Sequence, residues 1–206
     1  MYDKETNTLW SQLLGEAVSG EKVGTKLEFL PAVMTTWSSW REMHPDTLAI
    51  KKGFFGEKDP YLNYYYSQDA GVIGATNFDE RLGTKEFVIG VEIGKDAVAY
   101  PFSVLNTQPV VNDDISGNPI VVVFDQENGA GAVWERNLPD GQILEFAQHE
   151  GFILRDTETG SLWNGLTGQA ISGKYEGMTL TRVKSTQSFW FGWVDFHEDT
   201  QLYGLD

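Results

Sequence analysis

Short apolar runs alternating with polar residues recur along most of this chain, interrupted by glycine and other turn residues. A period of two puts every second side chain on one face of a strand, and frequent turn signals join such strands into hairpins. The clearest hairpin is residues 87–93, a Gly94-Lys95 turn and residues 96–100. Pro101 then opens a helical turn over 101–105, since its fixed φ suits the first helical position. Residues 110–112 and 120–124 flank a Ser116-Gly117-Asn118-Pro119 turn, and the unbroken apolar run 120–124 is expected to be a buried strand. Residues 133–136 and 143–146 flank Pro139-Asp140-Gly141, and 152–155, 156–160 and 161–163 read as strand, turn and strand. The expected class is mainly β (α+β): antiparallel sheets or a barrel-like meander with a few short helices.

The same pattern occurs twice. Residues 3–47 recur without a gap as 156–200, every matched position offset by 153. Asp3, Glu5, Thr6, Leu9 and Trp10 return as Asp156, Glu158, Thr159, Leu162 and Trp163; Gly15, Ala17, Gly20 and Gly24 return as Gly168, Ala170, Gly173 and Gly177. Trp37, Trp40, His44, Asp46 and Thr47 return as Trp190, Trp193, His197, Asp199 and Thr200, which leaves Trp134 as the one unpaired tryptophan of seven. A spacing this long implies a tandem duplicated domain, because solenoids and propellers repeat every ~20–50 residues. Thr35 or Thr36, matched by Ser188, would cap a short helix carrying two tryptophans on one face. A last strand, 48–50 or 201–203, would close each unit.

The copies are unequal. About 70 residues of strand-like sequence, from Lys85, precede the second block, whereas the first starts at Met1. The expected organisation is therefore 1–55 as the C-terminal half of copy 1, 56–84 as a crossover, and 85–206 as a complete copy 2. On this reading the first copy is incomplete and the chain is a fragment. Strand 8–10 would have an unpaired edge, which favours association. Residues 1–55 would be covered by a protein partner or by a missing upstream half.

Composition narrows the partners. The net charge of −15, with no basic run denser than Lys51-Lys52, disfavours nucleic acid and anionic membrane surfaces. Hydrophobic content of 41% with 13% aromatics is that of a folded globular chain. The absence of cysteine excludes disulfides, thiolate metal sites and a cysteine nucleophile within this stretch. No apolar run reaches the ~20 residues of a membrane span, and no signal-peptide pattern opens the chain.

The chemistry-bearing groups each have a plain structural reading. Asp-x-Glu-Thr-x-x-Leu-Trp sets two carboxylates beside an aromatic, as a sugar site would, but short polar side chains are also what a tight hairpin loop requires. The paired tryptophans would stack a planar ligand or, more cheaply, cover a sheet. His44 with Asp46, and His197 with Glu198 and Asp199, offer imidazole and carboxylate ligands that a divalent metal such as Zn or Mn accepts. Each turn supplies at most two or three ligands, and a histidine also suits a helix C-terminus. No other cofactor is indicated. Gly129-Ala130-Gly131 lacks the strand-then-helix context of a phosphate loop, and no Gly-x-Ser-x-Gly elbow exists. The polar, aromatic segment 53–83 is longer than an ordinary loop, and Tyr61, Tyr64, Tyr65 and Tyr66 within it form a candidate protein-contact surface.

Several segments together resemble one family. They are Tyr2-Asp3-Lys4-Glu5-Thr6 through Gln12, Thr36-Trp37, His44-Pro45-Asp46-Thr47, Arg81-Leu82, Val88-Ile89-Gly90-Val91, Ala99-Tyr100-Pro101 and Val111-Asn112-Asp113. Their order is similar to that of the domain-of-unknown-function family numbered 3179, over nearly the whole chain. The resemblance implies an upstream half with its own Tyr-Pro and Val-Asn-Asp segments and a Cys-Pro-Leu-Cys-Gly-like motif; this sequence has neither. It also implies an extracytoplasmic location, periplasmic or at the cell surface. The functional expectation is an exported, non-catalytic binding or structural component of a larger assembly. The alternative is a metal-assisted hydrolase or redox enzyme using the His-x-Asp-Thr turns with the missing half.

Overall fold

The computed structural model describes residues 1–30, 32–51, 61–71 and 74–205, in two compact units, Met1–Ala32 and Val33–Asp206. Residues 56–60, 72 and 73 of the expected crossover 56–84 lie outside the described residues.

The first unit is an antiparallel sheet of β1 (Tyr2–Asp3), β2 (Thr8–Ser11) and β3 (Glu16–Ser19). The expectation that residues 8–10 lack a partner on the β1 side is corrected. Tyr2 pairs with Leu9 and Asp3 with Thr8, and the main chains of Met1 and Trp10 exchange hydrogen bonds of 2.6 and 2.8 Å. Two residues suffice because the loop is locked by Asp3, whose carboxylate accepts from the Glu5 N–H at 2.9 Å and the Thr6 hydroxyl at 2.5 Å. Among the described residues of this unit only Thr8, Gly15 and Ala17 are buried, and Leu9, Val18 and Leu27 are exposed.

The second unit opens with α1 (Trp37–Met43). Thr36, in extended backbone, accepts from Ser39 N–H at 3.3 Å, and the helix stops at His44, whose helical conformation is disfavoured by the following Pro45. A short α2 (Leu62–Tyr66) follows, then β4 (Phe87–Ile93), β5 (Asp96–Pro101), α3 (Phe102–Leu105), β6 (Val110–Ile115), β7 (Asn118–Asp125) and β8 (Ala130–Glu135). The remaining elements are β9 (Phe146–Glu150), β10 (Ile153–Asp156), β11 (Leu162–Asn164), β12 (Ala170–Ser172), β13 (Ser185–Phe189), α4 (Trp190–Val194) and β14 (Gln201–Leu202). They form three sheets, ordered β13-β4-β5-β14, β6-β7-β8 and β12-β11-β10-β9. The protein is mainly β with few short helices, and no sheet closes into a barrel.

Alternation explains the layering. Ile120, Val122 and Phe124 of β7 join Ile89, Tyr100 and Leu105 in one core, while Val121 and Val123 join Trp134, Leu154 and Trp163 in another. β4 divides in the same way: Ile89 and Val91 face the first core, whereas Val88 lies with Ala99, Trp190 and Trp193 in a third. The order is therefore α4, the β4-containing sheet, the β7-containing sheet and the β10-containing sheet. The Ser116-Gly117 turn between β6 and β7 has φ of 54° and 80°, the left-handed pair that a tight hairpin of right-twisted strands demands.

Three expected elements differ. Ser188 does not cap α4; it lies in β13 opposite Val88, and the Trp190 and Phe191 N–H groups instead find the Glu86 and Thr84 carbonyls at 2.8 and 3.1 Å. The strand expected over 143–146 begins only at Phe146, because both main-chain groups of Phe146 are held by the Asn112 amide at 2.8 and 2.9 Å. Residues 48–50 form no strand, and Leu48 and Ile50 are 93% and 86% exposed. Their counterpart β14 exists because β5 offers it a parallel edge, Gln201 opposite Val98 and Leu202 opposite Ala99.

Gly90 is where β4 meets α4. A Cβ there would lie 2.3 Å from the Trp193 ring, so only glycine lets the indole rest on the strand backbone. Gly90→Ala is expected to lower stability by about 1–3 kcal/mol, as overpacking does. Gly192→Ala, within α4 and with nothing within 4 Å of its new carbon, should be neutral or raise stability by about 0.5–1 kcal/mol. Denaturant midpoints of the two variants check the pair.

Candidate functional site

Asp156 is fully buried where β10 enters its hairpin loop. Its carboxylate accepts from Thr159 N–H at 2.6 Å, from the Thr159 hydroxyl at 2.8 Å and from the Trp163 indole at 2.9 Å, and Thr159 contacts the Ser161 hydroxyl at 2.6 Å. Burial, the largest effect, pushes its pKa up, but the hydrogen bonds from Trp163 and Thr159 together outweigh it and hold the group below the ordinary 3.8. Glu158 turns away and accepts the Glu145 N–H. Both carboxylates are thus engaged by hydrogen bonds within the fold, Asp156 inside its loop and Glu158 on the Glu145 main chain. Asp3 repeats the arrangement in the first unit, its pKa lowered by the Thr6 hydroxyl and the Glu5 N–H.

The His-x-Asp-Thr turns follow a similar economy. The Trp193 indole donates to the Thr200 hydroxyl at 2.9 Å, Thr200 N–H donates to the His197 carbonyl at 3.1 Å, and the His197 ring lies 3.9 Å from the Trp193 ring, inclined by 32°. Burial pushes the His197 pKa below 6.5; Glu92 opposes this and Lys184 adds to it. Glu198 accepts from the Asn77 amide at 2.8 Å, and Asp199 is exposed. His44 stacks on Trp40 at 4.2 Å, Trp40 donates to Thr47 at 3.0 Å, and Asp46 is exposed. Among the described residues, no group of three or more His, Cys, Asp or Glu side chains is placed to hold a metal ion.

The two tryptophan pairs share these internal bonds and differ in what covers them. Trp190 and Trp193 are 1% and 2% exposed; Trp37 and Trp40 are 52% and 36% exposed. The Trp190 indole donates to the Asp79 carbonyl at 3.0 Å with the Arg81 guanidinium 5.3 Å over its ring. The Trp37 indole N–H has no partner among the described residues. A cavity of about 30 Å³ beside Trp190, bordered by Phe78, Asp79 and Phe191, is of the size that holds water.

The tyrosines behave unequally. Tyr61, Tyr65 and Tyr66 are exposed, whereas Tyr64 is half-buried, with the Lys85 ammonium 3.7 Å over its ring. Lys85 also donates to the Tyr64 carbonyl and to the Ser67 hydroxyl, so α2 is fastened by one cation.

Sequence reasoning missed two polar clamps. Tyr100, fully buried, donates to the Asp113 carboxylate at 2.7 Å, and burial followed by that carboxylate pushes the phenol pKa far up. Arg136 reaches the Leu144 and Asp113 carbonyls at 3.0 and 3.2 Å and pairs with Glu145. The Tyr-Pro and Val-Asn-Asp segments were visible, but nothing local in either one points to the other.

Asp156→Ala is expected to cost about 1–3 kcal/mol, because buried donors lose their acceptor, and Asp3→Ala less. The pH dependence follows from the directions of the shifts. Both Asp156 and His197 have folded pKa values below their unfolded ones, so each contributes stability present above the unfolded pKa and lost as pH falls through the folded one. Stability should decline below about 6.5 through His197, and His197→Phe should remove that part of the slope in thermal melts between pH 7 and 5; the Asp156 part lies below about 3.8.

No curated protein and no solved structure matches this chain. A family model described as "Protein of unknown function (DUF3179)" matches residues 1–200, nearly the full length. The chain belongs to that family.

Proposed function

We propose that this chain is a non-catalytic contact module, exported from the cytoplasm and acting as one component of a larger assembly. Its organisation on this reading is a duplicated domain, with 1–55 the C-terminal half of one copy, 56–84 a connecting segment and 85–206 the complete second copy. The observation that carries the proposal is the unequal burial of the same tryptophan pair: sealed under Gly90 and Ala99 in one block, open in the other. Monomeric proteins rarely leave a contiguous apolar patch without a partner, and here Trp37, Trp40, Met43, Leu48 and Ile50 are all exposed. The internal use of Asp156, Glu158 and Glu198 supports contact over catalysis, since a catalytic carboxylate has to reach a substrate. Export rests on the family resemblance.

Photocrosslinking in the producing cell tests the reading. A benzophenone amino acid at position 37 or 50 should yield a discrete protein adduct, while the same group at Lys95 or Gly141, on the turns after β4 and β8, should not. No adduct from either apolar position, or adducts with lipid alone, would remove the proposal. Zinc or manganese bound stoichiometrically at micromolar concentration and lost in His197→Ala would favour the enzyme alternative.

A further inference from the structure

We propose that α4 is a docking site for an extended, basic peptide segment of a partner protein, and that residues 75–82 of this chain hold the site as an internal stand-in. The site belongs to the second block and goes beyond the contact-module reading, which concerns the open tryptophan pair of the first. Residues 75–82 pass over α4 with neither helix nor strand structure, and none of them is buried. They are held chiefly by their main chain. One oxygen of the Asp195 carboxylate accepts the successive Thr76 and Asn77 N–H groups at 2.6 and 2.8 Å, and the Trp190 indole donates to the Asp79 carbonyl at 3.0 Å. Side chains add two ties: the Asn77 amide donates to Glu198 at 2.8 Å, and Arg81, 5.3 Å over the Trp190 ring, donates to the Thr200 carbonyl at 3.1 Å. Groups that read main chain accept other extended segments that offer two N–H donors followed by a carbonyl.

Two features make residues 75–82 a poor fit to the site they hold. The first is the cavity of about 30 Å³ beside Trp190, which Ala75 and Asn77 border from one side and Phe191 and Val194 from the other. Atoms facing such a void lose their packing partners, and a larger apolar side chain in place of Ala75 has room to enter it. The second is charge. The segment brings Asp79 and Glu80 to a helix whose exit already carries Asp195, Glu198 and Asp199, and its one cation, Arg81, is paired with Asp79. Like charges held together on one surface repel. Phe78, the largest side chain of the segment, is 83% exposed and adds little to its hold. A peptide with valine or leucine in place of Ala75, an amide at the position of Asn77 and lysine among the residues matching 79–81 meets the same main-chain groups and removes both faults.

The probe is a fluorescein-labelled peptide of residues 74–83 carrying Ala75→Val, Asp79→Asn and Glu80→Lys, titrated into the full chain and followed by anisotropy. The peptide of unaltered sequence serves as the comparison. The altered peptide should bind more tightly than the unaltered one, and salt should weaken it. Amide hydrogen exchange of Thr76 and Asn77 in the chain should quicken as the peptide saturates, because Asp195 changes partners. Thr76→Pro in the chain deletes one donor of the internal occupant. It should tighten peptide binding about tenfold, since the apparent Kd is the intrinsic one divided by the fraction of open sites. Asp195→Ala added to Thr76→Pro should abolish binding. Asn77→Ala, which removes only the tie to Glu198, should shift affinity in the same direction by less and serves if Thr76→Pro does not fold. No binding to either variant at about 1 mM peptide overturns the proposal. So does binding that leaves the Thr76 and Asn77 amides as protected as before, or that survives Asp195→Ala, because the peptide then sits elsewhere. Equal affinity for the two peptides overturns the basic partner. Failure of the crosslinks at positions 37 and 50 bears on the contact module alone and leaves these outcomes unchanged.

Discussion

Everything in the second unit is built outward from one strand buried on both faces. β7 contributes Ile120, Val122 and Phe124 to one core and Val121 and Val123 to another, so the sheet it centres has no solvent face. A strand with apolar residues on both sides has to be covered twice, and the β4 and β10 sheets are those covers. β4 in turn presents its far side to α4, where Gly90 admits the Trp193 indole. Each layer exists because the one beneath leaves an apolar face.

That logic stops where the first block begins. Residues 33–50 carry the tryptophan helix, the stacked histidine and the threonine acceptor of the second block, yet among the described residues no sheet covers them as one covers the second. Local hydrogen bonds survive without the sheet: Trp40 reaches Thr47 as Trp193 reaches Thr200. Burial and strand pairing do not, because both need atoms from another segment. The contrast separates what the block forms alone from what a covering sheet adds.

The polar residues that looked chemical serve the same architecture. Asp156 ties a hairpin loop to Trp163, Asn112 grips the main chain of Phe146, and Tyr100 satisfies itself on Asp113. Each is a polar group placed inside or beside a core and therefore obliged to find a partner. His197 is the exception in kind: its ring rests on an indole face, and its lowered pKa records burial.

What the sequence by itself determined is local. Ser116-Gly117, Gly94-Lys95 and the Asp-x-Glu-Thr loops are legible because turn geometry depends on a few adjacent residues. A cap at Thr35 or Thr36, which the structure places at Thr36, and the buried run 120–124 are legible for the same reason, and the 153-residue repeat needs only comparison of the chain with itself. Tertiary structure decided the rest. It chose which tryptophan pair is buried, placed glycine 90 beneath an indole 103 positions away, joined Tyr100 to Asp113 and withheld a strand from residues 48–50. Pattern shows that a side chain wants cover; only the packed chain shows whether another segment is there to provide it.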